Sequence, residues 1–175
     1  MQNEFGVVVP DWYKGYVAAL DGADFIEVLK KQRDATPEFM NKINAELWDF
    51  AYAPGKWTIK EVLMHLIDCE RIFCYRALCF ARGDKSELPG FDENSYAVNS
   101  GCKNRTADSI QREYVALRNS TLELFSNFDQ EMLYQTGTAN GKLFSVKLSG
   151  VIIAGHEKHH INIIKERYLS SEKSI

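Results

Sequence analysis

The chain has 175 residues, 45% of them hydrophobic and 26% charged, with a formal net charge of -3. That balance suits one globular domain, residues 1–175, with enough chain for a single buried core. It leaves no electrostatic footprint for nucleic acid and no basic patch for an anionic membrane. No apolar run approaches the roughly 20 residues needed to cross a bilayer. Met1 to Trp12 shows no basic region followed by an apolar stretch, so no secretory signal is expected. Cys69, Cys74, Cys79 and Cys102 match neither a C-x-x-C metal pattern nor a disulfide framework. Reduced thiols and a cytoplasmic location are the expectation.

Helix-forming sequence begins near Asp11 and runs to Asn44, with breaks expected at Gly22 and at Ala35-Thr36-Pro37. The clearest helix covers 57–82. Thr58 is its N-cap, and Glu61 three residues on completes a capping box. Val62, Leu66, Cys69, Phe73, Leu78 and Phe80 supply its apolar positions. Gly83 to Arg105 is expected as a long functional loop. A third helix is predicted from about Thr106 to Phe128, with Ile110, Tyr114, Leu117, Leu124 and Phe125 as its core stripe. A short piece over Asp129 to Leu133 extends it. Thr136 to Gly141 reads as a turn, followed by weak strand-like alternation from Lys142 to Val146. The last helix is predicted from about Ser145, its N-cap, to Leu169. Four long helices with few connections predict an all-α four-helix bundle with a core of about 20–170 and peripheral ends at 1–20 and 171–175.

The four histidines are His65, His156, His159 and His160. His156 and His160 are four apart, so they lie about 40° apart around a helix and one turn along it. Ile152 and Ile163 share that side. His159 lies about 60° to the other side of His156. His65 shares its face with Val62, Cys69 and Ile72, so it too is expected to look inward. Metal sites in bundles are built from such inward ligands on adjacent helices. Three neutral imidazoles suit zinc, nickel, iron or copper, with a position left open for water or substrate. The other reading of the same residues is three buried, hydrogen-bonded histidines without a metal.

His156-Glu157-Lys158-His159-His160 also matches H-E-x-x-H, the zinc signature of many proteases. A metzincin would need Gly at Ile163 and His at Glu166. Other zincins take an acidic ligand from a later helix, for which Ile175 comes too soon. A third ligand from upstream is the expectation, with His65 available. Glu157 lies about 100° around the helix from His156, off the ligand face.

The segment Trp57-Thr58-Ile59-Lys60-Glu61-Val62-Leu63-Met64-His65-Leu66-Ile67-Asp68-Cys69-Glu70 resembles the second-helix signature of the DinB/YfiT-like superfamily, where E-V-L-x-H-L-x-D-x-E follows a tryptophan and a hydroxyl residue. Tyr75-Arg76-Ala77-Leu78, Ala81-Arg82-Gly83-Asp84, Leu88-Pro89-Gly90-Phe91-Asp92, Arg118 and Gly155-His156-Glu157-Lys158-His159-His160 are similar to further pieces of that pattern. The resemblance spans roughly residues 20–170. It implies a four-helix bundle with a metal held by His65, His156 and His160, zinc or nickel as that metal, and a homodimer. It also implies a small-molecule substrate, but no single reaction, since the family includes proteins called metal-dependent hydrolases and thiol S-transferases that use a low-molecular-weight thiol such as bacillithiol.

The leading expectation is therefore a metal-activated thiol, giving S-transferase-like chemistry. A metal-dependent hydrolase is the alternative, and a non-catalytic metal-binding scaffold is the alternative of another class. Asp68, three residues after His65, is a catalytic or ligand-orienting candidate. Glu157 is a weaker candidate base. Cys69 can line the site or simply pack. Trp57, Phe73, Tyr75 and Phe80 read as core, and Arg71, Arg76 and Arg118 as solvated or salt-bridged between helices.

Overall fold

The computed structural model describes residues 4–169. Four long helices form a bundle: α2 (Phe25–Met40), α3 (Ile59–Ala81), α5 (Ala107–Ser126) and α7 (Val146–Ile163). Each packs on two neighbours in the cyclic order α2, α5, α3, α7, so α2 and α3 lie across a diagonal. Short helices α1 (Lys14–Ala19), α4 (Glu93–Asn99) and α6 (Gln130–Tyr134) lie outside that frame.

The helix starts follow side-chain chemistry. Thr58 Oγ1 accepts from the Glu61 amide while Glu61 Oε2 accepts from the Thr58 amide, which closes the expected capping box. Thr106 and Ser145 cap α5 and α7 by accepting from the Ser109 and Leu148 amides, and Asp129 caps α6. At its far end α7 passes into a π-helical turn, Ile164–Tyr168, reaching almost as far as predicted.

Four expectations are corrected. The break at Ala35-Thr36-Pro37 is absent, because α2 runs through Pro37 to Met40. Proline deprives the helix of one N–H, but Thr36 and Met40 are buried on either side and Gln111 Nε2 donates to the Pro37 carbonyl at 3.3 Å. The span from Gly83 to Arg105 is no bare loop. It holds α4, capped by Asp92, and a 3₁₀ turn at Cys102–Asn104. The turn region Thr136 to Gly141 includes a strand, β1 (Thr136–Ala139), paired antiparallel with β2 (Lys142–Ser145). Asn140 and Gly141 have φ of 49° and 67°, the double left-handed pattern of a tight hairpin. Finally, the N-terminal stretch is not peripheral. Phe5 and Val7 are buried, and α1 packs along α7.

That last contact depends on Gly155. A Cβ there would strike the backbone of Tyr16, so only glycine lets α1 lie this close to α7. Gly155→Ala is expected to lower stability by about 1–3 kcal/mol, because backbone rather than a flexible side chain must move. Urea denaturation checks this, and an unchanged midpoint would contradict the contact.

The core has two apolar halves. One gathers Phe25, Phe80, Phe125 and Phe144, and the other Met40, Ile59, Ile67, Ile110 and Tyr168. At the level between them each long helix carries polar groups: Thr36 on α2, Glu70 on α3, Arg118 on α5, and His156 and Glu157 on α7 are all buried. The candidate site lies at this polar waist.

Candidate metal centre

α3 and α7 pack side by side, which brings His65 against His156 and His160. His65 Nε2 and His156 Nε2 are 2.9 Å apart. The His160 ring centre is 4.9 Å from that of His65 and 4.5 Å from that of His156. The i, i+4 spacing read from the sequence does put both α7 imidazoles beside the α3 imidazole.

The residues fit a divalent ion. Two imidazoles on a tetrahedral ion, at metal–nitrogen distances of about 2.0–2.1 Å, hold their nitrogens about 3.3 Å apart. The 2.9 Å approach is a few tenths shorter, the distance of a hydrogen bond between one protonated and one bare nitrogen. Burial also keeps the rings in the neutral, ligating form. It pushes His65 down from 6.5 to about 4. His160 falls to about 3 by burial, with His65 and His159 adding to it. His156, the most enclosed, is held well below its ordinary value by burial and then by the other histidines.

Those shifts have a sign in stability. In the unfolded chain a histidine protonates near 6.5, but in the folded, metal-free protein these three resist protonation until much lower pH. Their contribution is therefore complete above about pH 6.5 and is lost as pH falls towards 4. Urea midpoints of metal-free protein at pH 7.5 and pH 5 measure it. The drop is expected to be smaller in His160→Asn, and an equal drop in both proteins would contradict the assignment.

Cys69 lies one turn from His65, with Sγ 3.5 Å from Nδ1. A donor atom from each of His65, Cys69 and His156 falls within 4.8 Å of the others. Burial raises the thiol far above its usual range, with Glu93 and Asp68 adding to it. Cys69 is thus a protonated thiol beside His65, unsuited to act as a free nucleophile. Trp57 closes another side of His65, ring centres 4.7 Å apart.

The remaining site candidates fall elsewhere. His159 is exposed and packs on Tyr16 and His160. Asp68 lines a different hollow with Met64, Tyr96 and Asn99, and Arg71 lies 3.8 Å from it. Glu157 is 2% exposed and turned away from the histidines. It accepts from Arg118 Nη2 at 2.5 Å, from Thr36 Oγ1 at 2.6 Å and from Tyr114 Oη at 3.0 Å. Arg118 also clasps Glu70 with two bonds of 2.9 and 2.8 Å. Burial alone would lower the Arg118 pKa, but Glu157 and Glu70 reverse this and hold it well above the ordinary value. Arg118 does bridge helices, as expected, though in the interior rather than in water. Arg76 is buried and donates to the Pro89 carbonyl at 2.9 Å, which ties α3 to the segment before α4.

That segment supplies groups the sequence reading missed. A cavity of about 220 Å³ opens onto His160, lined also by Tyr52, Lys56, Trp57 and Asn94. Glu93, the first residue of α4, acts electrostatically on Cys69 and on Tyr16, whose ring lies 5.2 Å from that of His156. Burial, then Asp92, raises the Glu93 carboxyl. The signal that could have found them is Asp92-Glu93-Asn94-Ser95, a helix start in the middle of the supposed loop.

Comparison with known proteins agrees with this architecture. The structure is similar to YfiT from Bacillus subtilis, described as a probable metal-dependent hydrolase with an unusual four-helix bundle topology, with a TM-score of 0.71, 19% identity and 85% of each chain covered. At that identity the likeness concerns the fold. The sequence is 25% identical over 149 residues to a protein of Oceanobacillus iheyensis named "Putative metal-dependent hydrolase", covering 81% of this chain and 82% of that one. The model of the DinB superfamily matches residues 29–164, from within α2 to just beyond the end of α7, and the chain belongs to that superfamily.

Proposed function

We propose that this protein is a metal-dependent hydrolase whose divalent ion is held by His65, His156 and His160, with zinc or nickel as the metal. The observation that carries the reading is the meeting of three neutral imidazoles from two helices, one of which, His160, lines a cavity. When bound, the ion would supply Lewis-acid polarisation and a lowered pKa for a coordinated nucleophile. The relatives' names favour water as that nucleophile.

The chain's own groups fill the other roles. Glu93, at the start of α4, is a carboxylate with a raised pKa, which suits it to take a proton from water. Trp57 and Cys69 fix the plane of His65. Asn94 and Lys56 line the entrance, where they can hold a polar or anionic group of the substrate. Lys56 also favours a second reading. A low-molecular-weight thiol carrying a carboxylate would find its counter-charge there, and the reaction would be S-transfer. A homodimer and a cytoplasmic location remain part of the proposal.

Untagged, metal-loaded protein assayed against ester, amide and phosphoester panels, and against monochlorobimane with bacillithiol, glutathione or coenzyme A, separates the two. Metal-dependent turnover without thiol is the expected result. Turnover only with a thiol would replace hydrolysis by transfer, and none with either would leave a metal-binding scaffold. Glu93→Gln is expected to reduce kcat by roughly 10²–10⁴-fold, the usual share of a general base, with metal content unchanged. An unchanged kcat would remove Glu93 from the mechanism.

A further inference from the structure

A second, larger pocket of about 850 Å³ lies between the N-terminal segment, the hairpin and the start of α4. Trp12, Tyr13, Phe91, Leu143 and Phe144 are among its walls. Its volume falls in the range of roughly 300–1,000 Å³ typical of small-ligand sites. Its rim leaves large apolar groups in water: Trp12 is 75% exposed and Leu143 50%. Isolated exposed apolar residues need no explanation, but a concave group of them marks a binding surface.

Three observations join this groove to the histidines. Asn94 lines both the groove and the cavity over His160. Tyr13, in the groove wall, packs on Tyr16, and Tyr16 packs on His156, with ring centres 6.2 and 5.2 Å apart. Glu93 lines the groove and also acts on Cys69 beside His65.

The charges point to the ligand class. Three charged residues line the groove: Asp11, Glu93 and Lys142. Asp11 is already paired with Lys14 at 2.6 Å, which leaves one carboxylate and one ammonium and no surplus of cations to recruit an anion. The aromatic walls favour stacking on a flat or apolar group.

We infer that this groove is a substrate subsite that takes an uncharged aromatic or apolar moiety and directs the reacting end of the molecule past Asn94 to the histidines. The inference rests on the metal-site reading for its second half only. The substrate would accordingly be two-ended, with a bulky apolar body and a polar reacting group.

The neutral fluorophore N-phenyl-1-naphthylamine tests it. One probe per chain is expected to bind, equally in metal-free and metal-loaded protein. Trp12→Ala and Leu143→Glu are expected to weaken binding roughly five- to tenfold, the worth of one aromatic or apolar wall. Leu78→Glu, an exposed apolar position on α3, is expected to leave it unchanged. Both groove positions are exposed, and circular dichroism melts verify folding. In protein loaded with cobalt(II), the probe's proton resonances are expected to broaden. Equal affinity in all variants would overturn the subsite. Binding without broadening in cobalt-loaded protein would detach the groove from the metal centre and overturn the inference, while the centre itself stood. Failure to take up cobalt would count against the centre, and the fluorescence titration would still decide the groove. A change of oligomeric state in Trp12→Ala with no change in probe affinity would make the groove a protein interface and overturn the inference.

Discussion

Arg118→Met is expected to lower folding stability by about 3–5 kcal/mol, the usual result of removing one partner from a buried ion group. The guanidinium is fully buried and is the shared donor to Glu70 from α3 and Glu157 from α7. Without it two carboxylates face each other in the interior with no cation between them. For a domain of this size the melting temperature should fall by roughly 6–20 °C. Arg71→Met is the comparison. Arg71 pairs with Glu113 at 2.6 Å, but both side chains are partly in water, and such pairs are worth less than about 1 kcal/mol. Replacing Arg118, Glu70 and Glu157 together by apolar residues should recover much of the loss, since a buried ion group is costly to break but not to replace. Similar losses for Arg118→Met and Arg71→Met would contradict the burial argument.

The same network bears on function. Glu157 follows His156 directly in α7, and its bonds to Arg118, Thr36 and Tyr114 fix the rotation of the helix. With Glu157 locked towards α5 and α2, His156 is turned towards α3 and His65. The Arg118–Glu70–Glu157 network thus sets the phase of the candidate metal site without contacting its other imidazoles.

The second large effect is the loss of metal binding in His156→Ala. Groups that only support a ligand cost roughly 10–100-fold in metal affinity when removed, so removing a ligand should cost more than about 100-fold. His65→Ala and His160→Ala should behave alike, because each takes away one of the three convergent imidazoles. His159→Ala should bind metal almost as the parent does, since its ring lies on the exposed side of the cluster. Competition titrations with a chromogenic chelator measure all four. A loss in His159→Ala as large as that in His156→Ala would redraw the site.

Local signals carried most of the frame. The capping box at Thr58 and Glu61, the cap at Ser145, and the four-residue step from His156 to His160 are properties of one helix at a time, readable without a partner. The zinc-protease match fails in the sequence at Ile163 and Glu166, where a metzincin needs Gly and His, and the expected turn of Glu157 off the ligand face is seen in its bonds to Arg118, Thr36 and Tyr114. What escaped notice was non-local. Arg118 reads as solvated or salt-bridged between helices, and nothing local in α5 says that carboxylates from two other helices meet it in the interior. Pro37 reads as a helix break until Thr36 and Met40 are seen buried around it. α1 reads as a peripheral tail because the reason for its docking, the absence of a side chain at Gly155, lies some 140 residues away in sequence. Two misses were local after all. Asp92-Glu93-Asn94-Ser95 is a helix start, and Asn140-Gly141 is a hairpin turn.

The central claim is that His65, His156 and His160 hold a divalent ion at the head of a substrate path. Diffraction from untagged protein crystals, recorded at the absorption edges of zinc and nickel, tests it most directly. The account predicts one anomalous peak per chain, about 2.0–2.1 Å from a nitrogen of each of the three imidazoles and open towards Asn94. A peak bound elsewhere, or none in protein loaded with either metal, would contradict it.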